Sequence, residues 1–471
     1  DYSQEIEKLL IPYDLKGSAF NPVSLLESTN QAAIKMARHL FLQALRKLDY
    51  DFKNQIGRSK RYYIKHQRER TIITTIGVIT YRRCEYISRY NNKPYCHVDK
   101  YLGIGKRQRY GNDICALVYE RYADSNSMIK VGKEIGLRIS GLLLSKNRYN
   151  YQIPRQTIHN ILNRIKPIEP LIERVKETPS VLYIMADEKY LSLQQRKNHH
   201  KNKVEVKLVV IFEGKEKVTT KASQTKVYKP NKRFKYLNKY YFTSIKPNIF
   251  EDILNVIDHR YDVTKIKKII LMGDGAKWIK AGVPILKSES IDCEFHLDLF
   301  HCLQALNRIF KDKGYYQMAY NYLINDAKED LFKLIDIYLT NNPHLTEVIT
   351  NNRNYLNNNY DYAIKMIKEN IVGCAMEQAI SHALASPFSS VAKAYNINSL
   401  DRYIKARVSL LNDYDLTYTY LMATMHSKND SSESIKLTDN THDYSIFDRS
   451  SDKSEYPINI NDFNRNNIYR F

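Results

Sequence analysis

The chain is short of acidic residues, of tryptophan and of any metal-type cysteine pattern, and each shortage removes a class of protein. Six cysteines stand in 471 residues. They are scattered as Cys84, Cys96, Cys115, Cys293, Cys302 and Cys374, with no CxxC pair and no Cys/His spacing of zinc type. Reduced thiols in a cytoplasm are therefore expected. No apolar run approaches the roughly 18 residues that a membrane helix needs, and no basic-then-apolar signal segment opens the sequence. Asp and Glu total 51 against 73 Lys and Arg, a formal charge of +22. That excess argues against a small neutral ligand and for a polyanionic partner, nucleic acid first. What is present is 43% hydrophobic residues, enough for a globular chain of two or three domains.

Periodicity divides the chain. Within 1–110, Ala32, Ala33, Met36, Ala37, Leu40, Phe41 and Leu45 recur at helical steps and predict a packed helix. Residues 57–65 then interleave Arg58, Lys60 and Arg61 with Tyr62 and Tyr63, as nucleic-acid surfaces do; a solvated basic loop fits equally well. The β-rich stretch 71–86 around Gly77 and a turn at Asn91-Asn92 read as a small β-module. Residues 111–170 are helical in short pieces, clearest over 127–136 and 154–165. Two such helices fit a helix-turn-helix in which Arg155, Gln156, Thr157, His159 and Asn160 face a DNA groove, and a plain helical pair fits nearly as well.

From residue 180 the pattern turns to strands. An apolar run from Val181 ends in Asp187, and a second β-rich run covers 204–212. Between them lies a basic hairpin tip with Arg196 and Lys197, and the basic stretch 215–239, with Lys232 and Arg233, offers further candidate phosphate contacts, a solvated loop being the default reading of such a charge run. A third run, Ile266 to Met272, delivers Asp274 onto a turn between Gly273 and Gly275. A carboxylate there stands at the carboxyl edge of a sheet, where α/β folds keep their sites; a turn in which Asp274 only caps the next helix is the alternative. Residues 300–368 read as an all-α insertion, and a later helix, ending before Pro387, carries Glu377. The α/β core is thus expected over 180–299 and 369–426, and the Ser-, Asp- and Asn-rich segment 427–471 is expected to be disordered.

Two strands ending in Asp187 and Asp274, with Glu377 on a helix, suit a site for two divalent metals, because phosphoryl transfer needs hard oxygen ligands. Spacing alone says little, since the three acids lie far apart in sequence. The strings Ala186-Asp187-Glu188, Gly273-Asp274-Gly275-Ala276-Lys277-Trp278-Ile279, Asp298-Leu299-Phe300-His301 and Gly373-Cys374-Ala375-Met376-Glu377 add more. In this order they resemble bacterial insertion-sequence transposases of the ISLre-two group, as do 74–83 and Leu102-Gly103-Ile104.

The resemblance covers about 60–400 and implies a DDE transposase: a ribonuclease-H-like mixed sheet core interrupted by a helical insertion and preceded by a helical and β DNA-binding region. It implies that Asp187 bridges two Mg²⁺ or Mn²⁺ ions while Asp274 and Glu377 each hold one. The reaction it implies is attack of water on the phosphodiester at the element's end to free a 3′-hydroxyl, which would then attack target DNA. The implied partners are transposon ends and target DNA, bound by a homodimer or larger synaptic complex at the nucleoid. Asp298 and His301 are auxiliary candidates beside a structural or capping reading, Glu188 is a reserve ligand, and Trp278 is a candidate to pack the Asp274 turn. The competing readings are a DNA-binding protein without catalysis and a nuclease that cuts without joining.

Overall fold

A computed structural model describes residues 22–140, 152–164, 172–194, 203–217, 234–369, 373–390 and 393–426. The tail from 427, and Arg196, Lys197, Lys232 and Arg233, lie outside the described residues.

The N-terminal part is built on one long helix, α1 (Pro22–Asn54), and a hairpin of β1 (Tyr62–Thr74) and β2 (Gly77–Ser88). Phe41, Leu42, Leu45 and Leu48 share one face of α1 and pack on Ile72, Ile79 and Tyr81 of the hairpin. Each such side chain contributes about 1.5–3 kcal/mol when fully buried. The hairpin turns through Thr75 and Ile76, with Gly77 at φ 105°, a backbone state that side chains other than glycine's resist. The short β3 (Pro94–Tyr95) extends the sheet beyond β2.

Three helices follow: α2 (Asn112–Ser125), α3 (Met128–Ser140) and α4 (Arg155–Asn163). The helix-turn-helix expectation falls on α3 and α4, and most of the stretch between them, 141–151, lies outside the described residues. The Ile153 N–H donates to Gly132 O at 3.1 Å, which sets the lead-in to α4 against the middle of α3. A tight connection joins α2 and α3 at Asn126 (φ 46°) and Ser127.

The central sheet consists of β4 (Val181–Ser192), β5 (Lys203–Phe212), β8 (Tyr240–Ser244), β9 (Lys268–Gly273) and β10 (Asp292–Leu297), in the order β10-β9-β4-β5-β8. Strands β6 (Gly214–Lys217) and β7 (Phe234–Leu237) form a separate hairpin. β4 pairs parallel with β9, and β9 with β10, whereas β5 runs antiparallel to both β4 and β8. Both faces are covered, which is why these strands read as continuous apolar runs. Met185, Leu208, Val210, Ile270 and Met272 share one core with α2, α3 and α4; Leu182, Ile184, Val209, Ile269 and Leu271 share the other with α5 (Ile249–Arg260). That second core continues into the helical insertion, α6 (Leu299–Ile309), α7 (Lys313–Ile324), α8 (Lys328–Asn341) and α9 (Thr346–Lys368).

Two local expectations change. β4 does not stop at Asp187 but runs on to Ser192, because its ladder with β5 continues from Asp187↔Leu208 to Ser192↔Lys203. The helix bearing Glu377, α10 (Met376–Ile380), does not end before Pro387. It widens into a π-helical turn at Ser381–Ala385, and Pro387 sits in the first turn of Ser386–Ser389, where a missing N–H is tolerated. Helices α11 (Ile397–Leu411) and α12 (Leu416–His426) complete the described chain. All six cysteines are free thiols, and no described helix is long and apolar enough to cross a membrane.

Candidate active site

Asp187 emerges where the sheet divides. The parallel ladder of β4 and β9 ends at Met185↔Met272, and beyond it β4 keeps only β5. β9 then closes at Gly273 and delivers Asp274 beside the exposed flank of β4. A Cβ on Gly273 would meet Ala186 O at 2.9 Å and Ile279 Cδ1 at 2.7 Å, so only glycine lets the two strands run this close. Gly275 turns the chain with φ 91°. Asp274 Oδ1 accepts the Ala276 N–H at 2.9 Å, and the Tyr355 hydroxyl of α9 donates to Asp274 O at 2.8 Å. Asp274 thus steadies its own turn without capping the next helix, Lys277–Lys280, whose N-cap is Ala276, while its charge also reaches Asp187.

Glu377 reaches the same place from the far side of the insertion. The Tyr236 hydroxyl donates to Gly373 O at 2.6 Å, and the Ala375 N–H points at Met185 Sδ at 3.3 Å, which docks the segment before α10 against β4. Asp187, His301 and Glu377 then offer ligand atoms that all lie within 4.8 Å of one another, and His301 Nε2 stands 4.0 Å from Glu377 Oε1. Asp274 is not in this trio. Burial pushes the Asp187 carboxyl up to about 7, and the charges of Asp274, Glu188 and Glu377 push the same way against the hydrogen bond from the Glu188 N–H.

The supporting residues have distinct tasks. Asp298 is 95% buried, accepts the Phe300 N–H at 3.0 Å as the cap of α6, and donates its own N–H to Gly273 O at 2.8 Å. It therefore ties the start of the helix carrying His301 to the end of β9. Glu188 faces away from Asp187, as alternation along a strand requires, and accepts the Trp278 indole N–H at 2.6 Å. Lys207 Nζ lies 5.0 Å from the Trp278 ring centroid. The reserve carboxylate is thus occupied by Trp278, which packs the Asp274 turn on the core beneath. His301, an auxiliary candidate through its string with Asp298, is brought to Asp187 and Glu377 by tertiary packing.

The expected DNA contacts scatter. Arg58 donates to Lys53 O and Tyr62 O, and Arg61 to Gln55 Oε1, so both brace the end of α1, while Lys60 is exposed. Arg155 and Gln156 line a cavity between helices, and Thr157 sits half-buried in the first turn of α4. A second acid–histidine group, Glu294, His296 and Glu369, lies at the β10 edge, with ligand atoms likewise within 4.8 Å.

The sequence profile of an uncharacterised protein family, UPF0236, matches residues 18–421. The chain belongs to that family. Similar proteins include UPF0236 proteins of Caldanaerobacter subterraneus subsp. tengcongensis. One is 26% identical over 412 residues, covering 86% of this chain and 80% of its own length; another is 26% identical, with 86% and 76% covered. Among solved structures, this UPF0236 chain overlaps the Drosophila P element transposase strand transfer complex with 8% identity over 68% of this chain and 82% of that one. The TM-score is 0.26, too low to carry an argument.

Proposed function

We propose that this UPF0236 protein is a DDE-type DNA transposase that cuts the ends of its insertion sequence and joins the 3′-hydroxyls to target DNA. The observation that supports this most is the gathering of Asp187 and Glu377 with His301 within 4.8 Å, at a point where the charge of Asp274 acts on Asp187. The strand order adds support, because an antiparallel trio continued by two parallel strands, with acids where β4 and β9 part, suits a ribonuclease-H-like core.

The donor set fits a hard divalent cation. Carboxylate oxygens dominate it, and the raised proton affinity of Asp187 reflects burial together with uncompensated negative charge. Asp187, Asp274 and Glu377 would hold Mg²⁺ or Mn²⁺, two ions in all, which when bound activate the attacking oxygen and neutralise the leaving one. The chain itself supplies position. Gly273 and Gly275 bring Asp274 against β4, Trp278 holds Glu188 away, and Asp298 fixes the helix from which His301 meets Glu377. The excess of 73 basic over 51 acidic residues supplies attraction for the DNA backbone. Two ends must be held together for joining, so a homodimer or larger synaptic complex follows.

The test is incubation of the purified chain with DNA carrying the element's ends, with and without Mg²⁺ or Mn²⁺. Metal-dependent strand cleavage and joining are expected, and Asp274→Ala should abolish both while DNA retention persists. Binding without cleavage would reduce the protein to a DNA-binding one, and cleavage without joining to a nuclease.

A further inference from the structure

Asp187 and Glu377 bring carboxylates to one place, and the fold sets an imidazole beside them. Asp187, His301 and Glu377 offer ligand atoms within 4.8 Å of one another, whereas Asp274 stands outside this trio. Two atoms that share an ion at about 2.2 Å each lie at most about 4.4 Å apart, so a shift of no more than about 0.4 Å brings even the widest pair into reach. His301 Nε2 and Glu377 Oε1, at 4.0 Å, already satisfy that limit.

The imidazole is held in place while its nitrogens are left open. His301 lies in the first turn of α6, which is anchored in the core through Cys302, Ala305, Leu306 and Ile309. The His301 backbone N–H donates to Asp298 O at 3.1 Å, and the Asp298 N–H donates to Gly273 O at the end of β9. The Phe300 ring meets the imidazole edge-on, 5.3 Å between centroids. A histidine that served only to pack or cap would spend a ring nitrogen on a neighbour. Here neither ring nitrogen has a hydrogen-bond partner among the described residues, and the charged group it faces most closely is the Glu377 carboxylate. Among the described residues no Lys or Arg forms an ion pair with Asp187 or Glu377. The Glu377 side chain is 52% exposed and that of His301 20%, so an ion has access from solvent.

We propose that His301 is the third protein ligand of the ion held by Asp187 and Glu377. One of the two metal positions is then a mixed oxygen and nitrogen site, and the other, between Asp187 and Asp274, has carboxylate donors only. This rests on the reading of the acids as a two-ion site. The imidazole changes which cation fits. Mg²⁺ takes oxygen ligands in strict octahedral geometry, whereas nitrogen donors favour first-row transition ions. The mixed position therefore selects Mn²⁺ over Mg²⁺.

The test is Mn²⁺ binding to the full chain without DNA, read by calorimetry and by electron spin-echo envelope modulation, which detects a nitrogen nucleus bound to the ion. Wild type should bind Mn²⁺ at least about tenfold more tightly than Mg²⁺ and show a coupled nitrogen. His301→Ala should lose that coupling and weaken Mn²⁺ binding by about tenfold. His301→Glu, which returns an oxygen donor of similar reach, should regain the binding without the nitrogen coupling and bring Mg²⁺ affinity to within about threefold of that for Mn²⁺. A histidine with a purely structural role would not be replaced in this way. Bound Mn²⁺ without a coupled nitrogen in wild type overturns the proposal and leaves the carboxylate site standing. So does Mn²⁺ affinity in His301→Ala within about twofold of wild type. If His301→Ala does not fold, the wild-type and His301→Glu spectra decide. Failure of wild type to bind Mn²⁺ overturns the two-ion reading itself, and the proposal with it.

Discussion

Two clusters in this molecule use the same residue types to opposite effect. Asp187, His301 and Glu377 converge at the end of β9; Glu294, His296 and Glu369 converge at the edge of β10, and in both the ligand atoms lie within 4.8 Å. Around Glu294, Lys365 Nζ stands at 2.7 Å and Lys268 Nζ at 2.8 Å, with Lys268 also 3.9 Å from Glu369. Burial pushes the Glu294 carboxyl up, but the two lysines outweigh it and hold it at about 2. Burial raises the Asp187 carboxyl to about 7, and the charges of Asp274, Glu188 and Glu377 push the same way. The spacing of donor atoms is the same in the two clusters; the balance of charge around them is what differs.

The largest effect that could break this comparison is on rate. Asp187→Asn or Glu377→Gln should lower metal-dependent strand cleavage by about a thousandfold, the loss of several kcal/mol of transition-state stabilisation, whereas Glu294→Gln should leave it within a few-fold. A comparable loss in Glu294→Gln would show that the β10 cluster, too, serves the reaction. Next comes ligand-linked stability. At about a hundredfold excess over its dissociation constant, Mn²⁺ should stabilise the wild-type protein by about 2.7 kcal/mol in a thermal melt; the shift should vanish in Asp187→Asn and persist in Glu294→Gln.

The third effect is structural. Glu294→Gln leaves Lys268 and Lys365 without their shared partner and should cost about 2–3 kcal/mol at pH 7, measured by urea denaturation. Because the Glu294 carboxyl is depressed from 4.5 to about 2, this contribution is present above about 4.5 and is lost as pH falls through about 2. An effect of opposite sign is expected at Asp187 in metal-free protein. Its carboxyl is raised from 3.8 to about 7, so the folded chain keeps a proton that the unfolded chain has released. Stability from this group is present below about 3.8 and is lost as pH rises through about 7. Asp187→Asn should therefore melt a few degrees above wild type at pH 8, with the gap narrowing toward pH 5. The smallest change is Trp278→Phe, which removes the hydrogen bond to Glu188 at a cost of about 1 kcal/mol and should slow cleavage only modestly.

Much of the sheet was legible because its strands are buried on both faces and write themselves as apolar runs: Val181 to Ala186, 204–212 and Ile266 to Met272 all fall on strands or their approach. The insertion was legible for the same kind of reason, since Leu299, Leu303, Leu306 and Phe310 mark the buried side of α6 and its end. The helices at 128–140 and 155–163 were legible as helices because their apolar residues recur at helical steps and are buried. Arg58 and Arg61 read as DNA contacts, yet they close onto backbone and side-chain oxygens near the end of α1. A cation's free or occupied state depends on neighbours that sequence spacing does not specify.

By itself the amino-acid order determined the apolar runs, the glycines that flank Asp274, and the placing of Glu377 after a helical segment, since each is a matter of local periodicity and backbone freedom. Tertiary structure alone decided that Asp187, Glu377 and His301 meet, that Glu188 is taken up by Trp278, and that the β10 cluster is neutralised by Lys268 and Lys365. Those outcomes turn on which strands pair, where a ladder ends, and which charges are buried beside one another, and no local stretch of the chain encodes them.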